Sequence, residues 1–192
     1  MKLLVPTNQF TVNASLRSFT GWLIGLLTLQ LIYGAFMAGL KAATAAPTWP
    51  TINGAWWPNT IFSLGGRQFT GMSFLADNPL VIHFIHRNLA YAIAILLAFW
   101  TWKAFKITGN RIFQQTRFWP FLLVLLQVIL GVLTVLSAID TKNFLWLGVA
   151  HQFVAMLLLL SLLWMFYILR GKGEKEVKEN NTEIAQQHQA SA

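Results

Sequence analysis

Four histidines are the residues of this chain best suited to chemistry near neutral pH. His83, His86 and His151 fall in apolar stretches. His188 lies in a polar C-terminal stretch and is interpreted as a surface residue. An imidazole in an apolar stretch binds a metal, passes a proton or hydrogen-bonds a neighbouring helix. The chain contains no cysteine, which excludes disulfides, zinc–thiolate sites and iron–sulfur clusters.

The stretches around these histidines are long enough to be transmembrane helices. Hydrophobic residues make up 56% of the 192 residues, and charged residues only 10%, against about 25% in a soluble domain. A helix crosses a bilayer in about 20 mostly apolar residues. The sequence therefore predicts an all-α membrane protein, a bundle of four transmembrane helices over about residues 19–40, 78–102, 118–139 and 144–169. This domain, residues 19–169, follows an N-terminal segment, 1–18, and precedes a flexible tail, 170–192.

Lys and Arg residues are distributed unequally between the two sides of this topology. Ten fall on the side of both termini, and three on the side of the long loop 41–77. By the positive-inside rule, both termini are expected in the cytoplasm and the loop outside. Topology thus accounts for the net charge of +8. The basic residues are scattered and form no recognition motif, which argues against nucleic acid as a partner. The lack of a transit-like leader favours the plasma membrane of a prokaryote.

The outer loop, residues 41–77, is too long for a simple turn and is rich in aromatic residues. We expect these side chains to lie on the outer membrane surface or to cover a site in the bundle. They are Trp49, Trp56, Trp57, Phe62, Phe69 and Phe74.

The chain repeats a pair of helix patterns. A helix with Gln-x-x-x-Gly is followed by a helix with His-x-x-x-Ala, twice, which predicts a pseudo-twofold four-helix bundle. The first helices carry Gln30 with Gly34 and Gln127 with Gly131, and the second carry His86 with Ala90 and His151 with Ala155.

His86 and His151 lie at matching depths in their helices. Each follows the outer end of its helix, at Asn78 or Asn143, by eight residues. A rise of 1.5 Å per residue places each imidazole roughly 12 Å below the extracytoplasmic face. Two such imidazoles can ligate one haem iron from opposite sides, and small residues nearby leave room for a flat macrocycle. Hydrogen bonding between helices is the structural alternative.

Two further polar residues accompany His86. Arg87 either pairs with a haem propionate, or forms an ion pair with Asp77 or a lipid headgroup. His83 lies one turn above His86, and there it guides protons, contacts a propionate or sits at the interface.

The chain resembles the haem A synthase family, whose members convert haem O to haem A for cytochrome oxidase. The resemblance covers about residues 20–165 and is carried by Gly34–Ala42, Thr48–Gly54, Trp57-Pro58, Phe84–Arg87 with Ala90-Tyr91, and Gln127, Gly131, Thr134 and His151-Gln152. Typical members have eight spans in two four-helix halves, each with a histidine pair, and this chain resembles the second half. The resemblance implies that His86 and His151 are the axial ligands of a haem b. His83 stands where the family's first half has a glutamate implicated in catalysis, and the outer-loop cysteine pair of many members is absent.

A bundle with one histidine pair holds one haem, whereas oxidation of a substrate haem O requires a second haem site. We therefore expect a half-size haem A synthase that forms a homodimer or a heteromer with another four-helix half. One alternative is a b-type haem subunit for electron transfer or membrane anchoring. A haem-free scaffold is the other.

Overall fold

The computed structural model of the chain describes residues 11, 13–64 and 66–170. Four helices in this part are long and apolar enough to cross a membrane, which confirms the predicted all-α membrane fold. The predicted tail lies outside the described residues beyond Arg170, as does most of the segment before residue 13. In chain order, the helices are α1 (Ala14–Gly39), α2 (Ala42–Ala45), α3 (Met72–Ala76), α4 (Pro79–Phe105), α5 (Arg111–Thr116), α6 (Trp119–Leu136) and α7 (Thr141–Ile168). A 3-10 turn (Asn59–Phe62) and a hairpin of β1 (Ser63–Leu64) and β2 (Arg67–Gln68) lie between α2 and α3.

Three of the long helices begin where a side-chain oxygen accepts the free N–H groups of their first turn. Asn13 caps α1, which starts at Ala14 instead of residue 19. Asp140 caps α7, which starts at Thr141 instead of residue 144. Asn78 caps α4 at the predicted boundary. The caps of α1 and α7 thus set boundaries that hydropathy alone places five and three residues away.

The four long helices form a ring in which each contacts two neighbours. Helix α1 packs against α4 and α7, and α6 packs against α7 and α4. Helices α4 and α7 therefore stand at diagonal corners. This order keeps each predicted helix pair together, α1 with α4 and α6 with α7. One face of α4 is directed across the bundle centre toward α7.

Apolar side chains fill the end of the bundle that lies away from the outer loop. The indole of Trp100 is fully buried there, and its N–H donates to the Thr20 hydroxyl at 2.9 Å, so the buried donor is satisfied. The histidines occupy the opposite end, between this core and the outer loop. The core includes Leu23, Leu27, Ile93, Leu97, Leu158, Leu162 and Met165.

The outer loop folds onto the start of α4. Ile52 is buried against Leu80 of that helix. The N–H groups of Ile52 and Ala55 donate to each other's carbonyls at 2.9 and 3.1 Å. Asn53 and Gly54 close this two-residue turn with φ angles of +50° and +89°, a conformation that Asn-Gly sequences adopt readily. The segment therefore has a defined fold and lies over the start of α4.

The loop's aromatic residues differ in burial. Phe69 is buried, and the Trp57 ring contacts Phe84 of α4 edge-on, with centroids 4.9 Å apart. Trp49, Trp56 and most of the Trp57 surface are exposed. The Trp57–Phe84 contact thus joins the loop to α4, while the exposed tryptophan surface stays available to the membrane surface.

Candidate haem-binding site

The rings of His86 and His151 meet across the bundle. Their centroids are 6.5 Å apart, and their planes make an angle of 66°. The two residues come from α4 and α7, the diagonal helices of the ring. The depth match in the sequence thus corresponds to direct proximity in the structure, even though α7 begins before Asn143.

Each imidazole has a glutamine partner on the other helix of its own pair. Gln30 Nε2 lies 3.3 Å from His86 Nε2 and also donates to the His86 carbonyl at 3.0 Å. Gln127 Nε2 lies 3.1 Å from His151 Nε2. The sequence repeat therefore encodes two Gln–His contacts as well as close helix packing.

The glycines of the repeat make room for the imidazoles. A Cβ atom added at Gly34 would lie 3.4 Å from His86 Cε1. At Gly131 it would lie 3.0 Å from His151 Cε1, a distance at which the ring must move. The His151 ring thus lies closer to its glycine than the His86 ring does.

The histidine pair fits a haem iron. A ring nitrogen lies about 2 Å from a metal that it ligates, so imidazoles on opposite sides of one iron have centroids roughly 6 Å apart. The observed 6.5 Å agrees with that spacing. Within the described residues, Nδ1 of both rings is buried without a hydrogen-bond partner, and so is Oε1 of both glutamines. Unsatisfied buried polar atoms at one place are typical of a site built for a ligand.

The described part of the chain contains no site that would hold a metal ion by protein side chains alone. No three His, Asp or Glu side chains come together there in a way that would hold one. The macrocycle of a haem supplies four of the iron's ligands itself, so two imidazoles are enough.

His83 and Arg87 form a second pair, one helical turn apart on α4. His83 is buried, with 1% of its surface exposed, and Arg87 has 8% exposed. Arg87 Nη2 donates to His83 Nε2 at 2.8 Å, so the proton of that neutral ring resides on Nδ1. This Nδ1 has no partner among the described residues. His83 thus presents a buried donor near the ligand pair without belonging to it.

The remaining contacts of Arg87 are with the outer loop. Nη1 donates to the carbonyls of Pro50 and Thr51 at 3.0 and 2.8 Å. Nη2 donates to the Thr48 carbonyl at 2.7 Å. Together with His83, these acceptors use the four N–H groups of the two terminal nitrogens. A two-pronged contact between Arg87 and a propionate, as predicted from the sequence, would have to replace some of them.

The sequence patterns did not predict two of these interactions. Gln30 and Gln127 stood out as members of a packing repeat, but their contacts with the histidines depend on how each helix is rotated. The acceptors of Arg87 are main-chain carbonyls, which no side-chain pattern shows. The sequence signals for this segment are the family resemblance of Thr48–Gly54 and the Asn53-Gly54 turn that follows Thr48–Thr51.

Fold and site define a multi-pass membrane protein with a pair of facing intramembrane histidines. Residues 2–163 match the family model COX15-CtaA, described as cytochrome oxidase assembly protein. The match covers most of the chain, so the chain belongs to this family.

Several bacterial proteins named heme A synthase are similar to the chain. The protein of Rhizorhabdus wittichii is 36% identical over 141 residues, which are 72% of this chain and 37% of that protein. Those of Bartonella tribocorum and Brucella anthropi are 30% and 29% identical over 156 residues, which are 81% of this chain and 41% and 42% of theirs. The chain thus spans about two fifths of the length of these relatives. No solved structure gives a significant match.

Proposed function

We propose that the chain holds one haem b between His86 and His151, near the extracytoplasmic face of a bacterial plasma membrane, and takes part in the oxidation of haem O to haem A. The observation that carries the haem site is the 6.5 Å separation of the two imidazole rings. The relatives named heme A synthase support the pathway.

A haem with two imidazole ligands supplies one-electron transfer, because its iron has no open position. In this role, His86 and His151 would hold the group, each through a ring nitrogen that does not at the same time accept a glutamine N–H. Gln30 and Gln127 would orient the imidazoles by accepting the N–H of the other ring nitrogen at Oε1, which has no partner among the described residues. Gly34 and Gly131 keep the ring positions free. His83 offers its unpartnered Nδ1–H to a carboxylate at the edge of the site.

Synthase activity requires a second haem site, because the substrate haem must be bound as well as the electron relay. The bundle offers a single facing histidine pair within the described residues. We therefore propose that it works beside a second four-helix unit, in a homodimer or a heteromer. The acid–base group of the reaction is then to be sought in that unit or in His83.

The alternative is a b-type haem subunit that transfers electrons or anchors a partner without synthase activity. One observation favours it: α1, α4, α6 and α7 contain no Asp or Glu that could move a proton during oxidation of a methyl group. Both functions use the same two ligands.

Two measurements test these proposals. A reduced-minus-oxidised spectrum of the purified chain, with pyridine haemochrome analysis, should show a b-type haem at one per bundle; a colourless protein would overturn the haem site. Deletion of the gene followed by haem extraction should remove haem A and accumulate haem O. Normal haem A content after deletion would favour the electron-transfer subunit.

A further inference from the structure

The outer-loop segment 48–55 is held together by its own hydrogen bonds. The Thr48 hydroxyl donates to the Thr51 carbonyl at 2.8 Å and accepts the N–H of Asn53 at 2.8 Å. The mutual bonds of Ile52 and Ala55 close the turn beyond it. The segment thus forms a compact unit, which packs on the start of α4 through Ile52.

This compact unit directs three carbonyls at one cation. The carbonyls of residues 48, 50 and 51 lie 2.7–3.0 Å from the terminal nitrogens of Arg87. Their dipoles lower the cost of burying the guanidinium, which would otherwise be large at this depth of the bundle. A planar guanidinium reaches several acceptors at once, whereas a Lys ammonium is a single point of charge on a flexible stem.

Arg87 is adjacent to His86 in the chain, so the loop contact acts directly on the backbone that carries this imidazole. We infer that Arg87 is a positioning residue that clamps the segment 48–51 onto α4 and thereby fixes His86. The role at a haem rests on the proposed function, whereas the clamp itself does not depend on it.

The second hairpin offers a natural control for this inference. Gln152 follows His151 as Arg87 follows His86, but Gln152 is exposed. Gly148 occupies the position that corresponds to His83, and a Cβ there would meet nothing within 4 Å. The clamp is therefore a property of one hairpin, and its loss should affect one ligand only.

Hydrogen exchange on the purified, haem-free full chain tests the clamp. In Arg87→Ala, the amides of residues 52–55 should exchange at least about tenfold faster, because bonds to a charged donor are stronger than neutral ones. Arg67→Ala removes an exposed loop arginine, and Gln152→Ala removes the residue at the equivalent position; both should leave exchange unchanged. Unchanged exchange in Arg87→Ala would overturn the inference.

Arg87→Lys separates a local effect from general unfolding. Lysine keeps the positive charge but lacks the planar guanidinium that reaches several acceptors. Faster exchange should therefore be confined to the loop, while the core amides of α1 and α7 stay protected. Fast exchange throughout the Arg87→Lys bundle would show a general stabilising role and overturn the positioning role.

Carbon monoxide reports on His86 in the haem-loaded protein, because it binds reduced iron only when one axial ligand leaves. The wild type and Gln152→Ala should bind little carbon monoxide, and Arg87→Ala should bind several-fold more. If Arg87→Ala binds no more carbon monoxide than Gln152→Ala does, the link to His86 is refuted. A chain that binds no haem would refute the proposed function, while the exchange result would still decide the clamp.

Discussion

The two helix hairpins of the bundle share the glutamine, glycine, histidine and alanine of the repeat, but they differ at their outer ends. Helices α6 and α7 are joined by the short turn at residues 137–140, whereas α1 and α4 are joined by the whole outer loop. In the first hairpin, the neighbours of the imidazole are Arg87, His83 and a folded cover; in the second, they are Gly148 and Gln152. The duplicated part supplies two facing imidazoles, and the unequal part determines what else reaches them.

The difference also appears in how each imidazole is held. Gln30 makes two contacts with His86, including one to its carbonyl, while Gln127 makes one with His151. In return, Gly131 approaches His151 more closely than Gly34 approaches His86. The His86 ring and backbone thus receive one more hydrogen bond, whereas the His151 ring has less free space beside its glycine.

The largest expected effect tests whether the two histidines are equivalent in the proposed haem site. His86→Ala and His151→Ala should each weaken haem binding by more than about 100-fold, because loss of a mere outer-shell partner already costs about 10–100-fold. Haem per protein after purification measures this, with His188→Ala in the C-terminal segment as the control. Normal haem content in either variant would show that the two histidines are not equivalent in haem binding.

Gly131→Ala and Gly34→Ala test the difference in packing. We expect Gly131→Ala to destabilise the haem-loaded protein by about 1–3 kcal/mol, because its Cβ would force the His151 ring to move, and Gly34→Ala to cost less. Thermal unfolding in detergent measures both. Gly25→Ala adds the same methyl group where nothing lies within 4 Å and should have little effect. A larger effect at Gly34 than at Gly131 would contradict this account.

The glutamines test the difference in hydrogen bonding. Gln30→Leu should lower haem affinity by about tenfold, and Gln127→Leu by less, since it removes one contact instead of two. Haem titration of the purified apoproteins gives both affinities. Equal losses would mean that the contact with the His86 carbonyl contributes nothing.

The last comparison concerns the caps at the outer ends of α4 and α7. Asp140→Ala should cost about 1 kcal/mol, an ordinary cap effect. Asn78→Ala should cost about 1 kcal/mol more, because the Asn78 amide is buried and also donates to the Ile61 carbonyl at 2.6 Å. Unfolding midpoints of the two variants in one detergent make the comparison, which fails if Asp140→Ala is the more damaging change.

The sequence predicts the membrane bundle and the facing histidines because both depend on long periodic segments. Apolar length locates the helices, and both histidines lie in the outer part of their helices, His86 eight residues after the Asn78 cap and His151 eleven after the Asp140 cap. Helix ends are less predictable, since the first turn of α1 contains Ser15 and Arg17 and looks polar until the Asn13 cap is seen. The partners of Arg87 could not be predicted, because the loop's main-chain carbonyls come together only after the loop has folded.

The diagonal placement of α4 and α7 has a consequence for assembly. Because each hairpin contributes a single imidazole, a group bound by both rings would link the two hairpins. Neither hairpin can retain such a group alone, so its capture would report that both halves of the bundle have docked in the correct register.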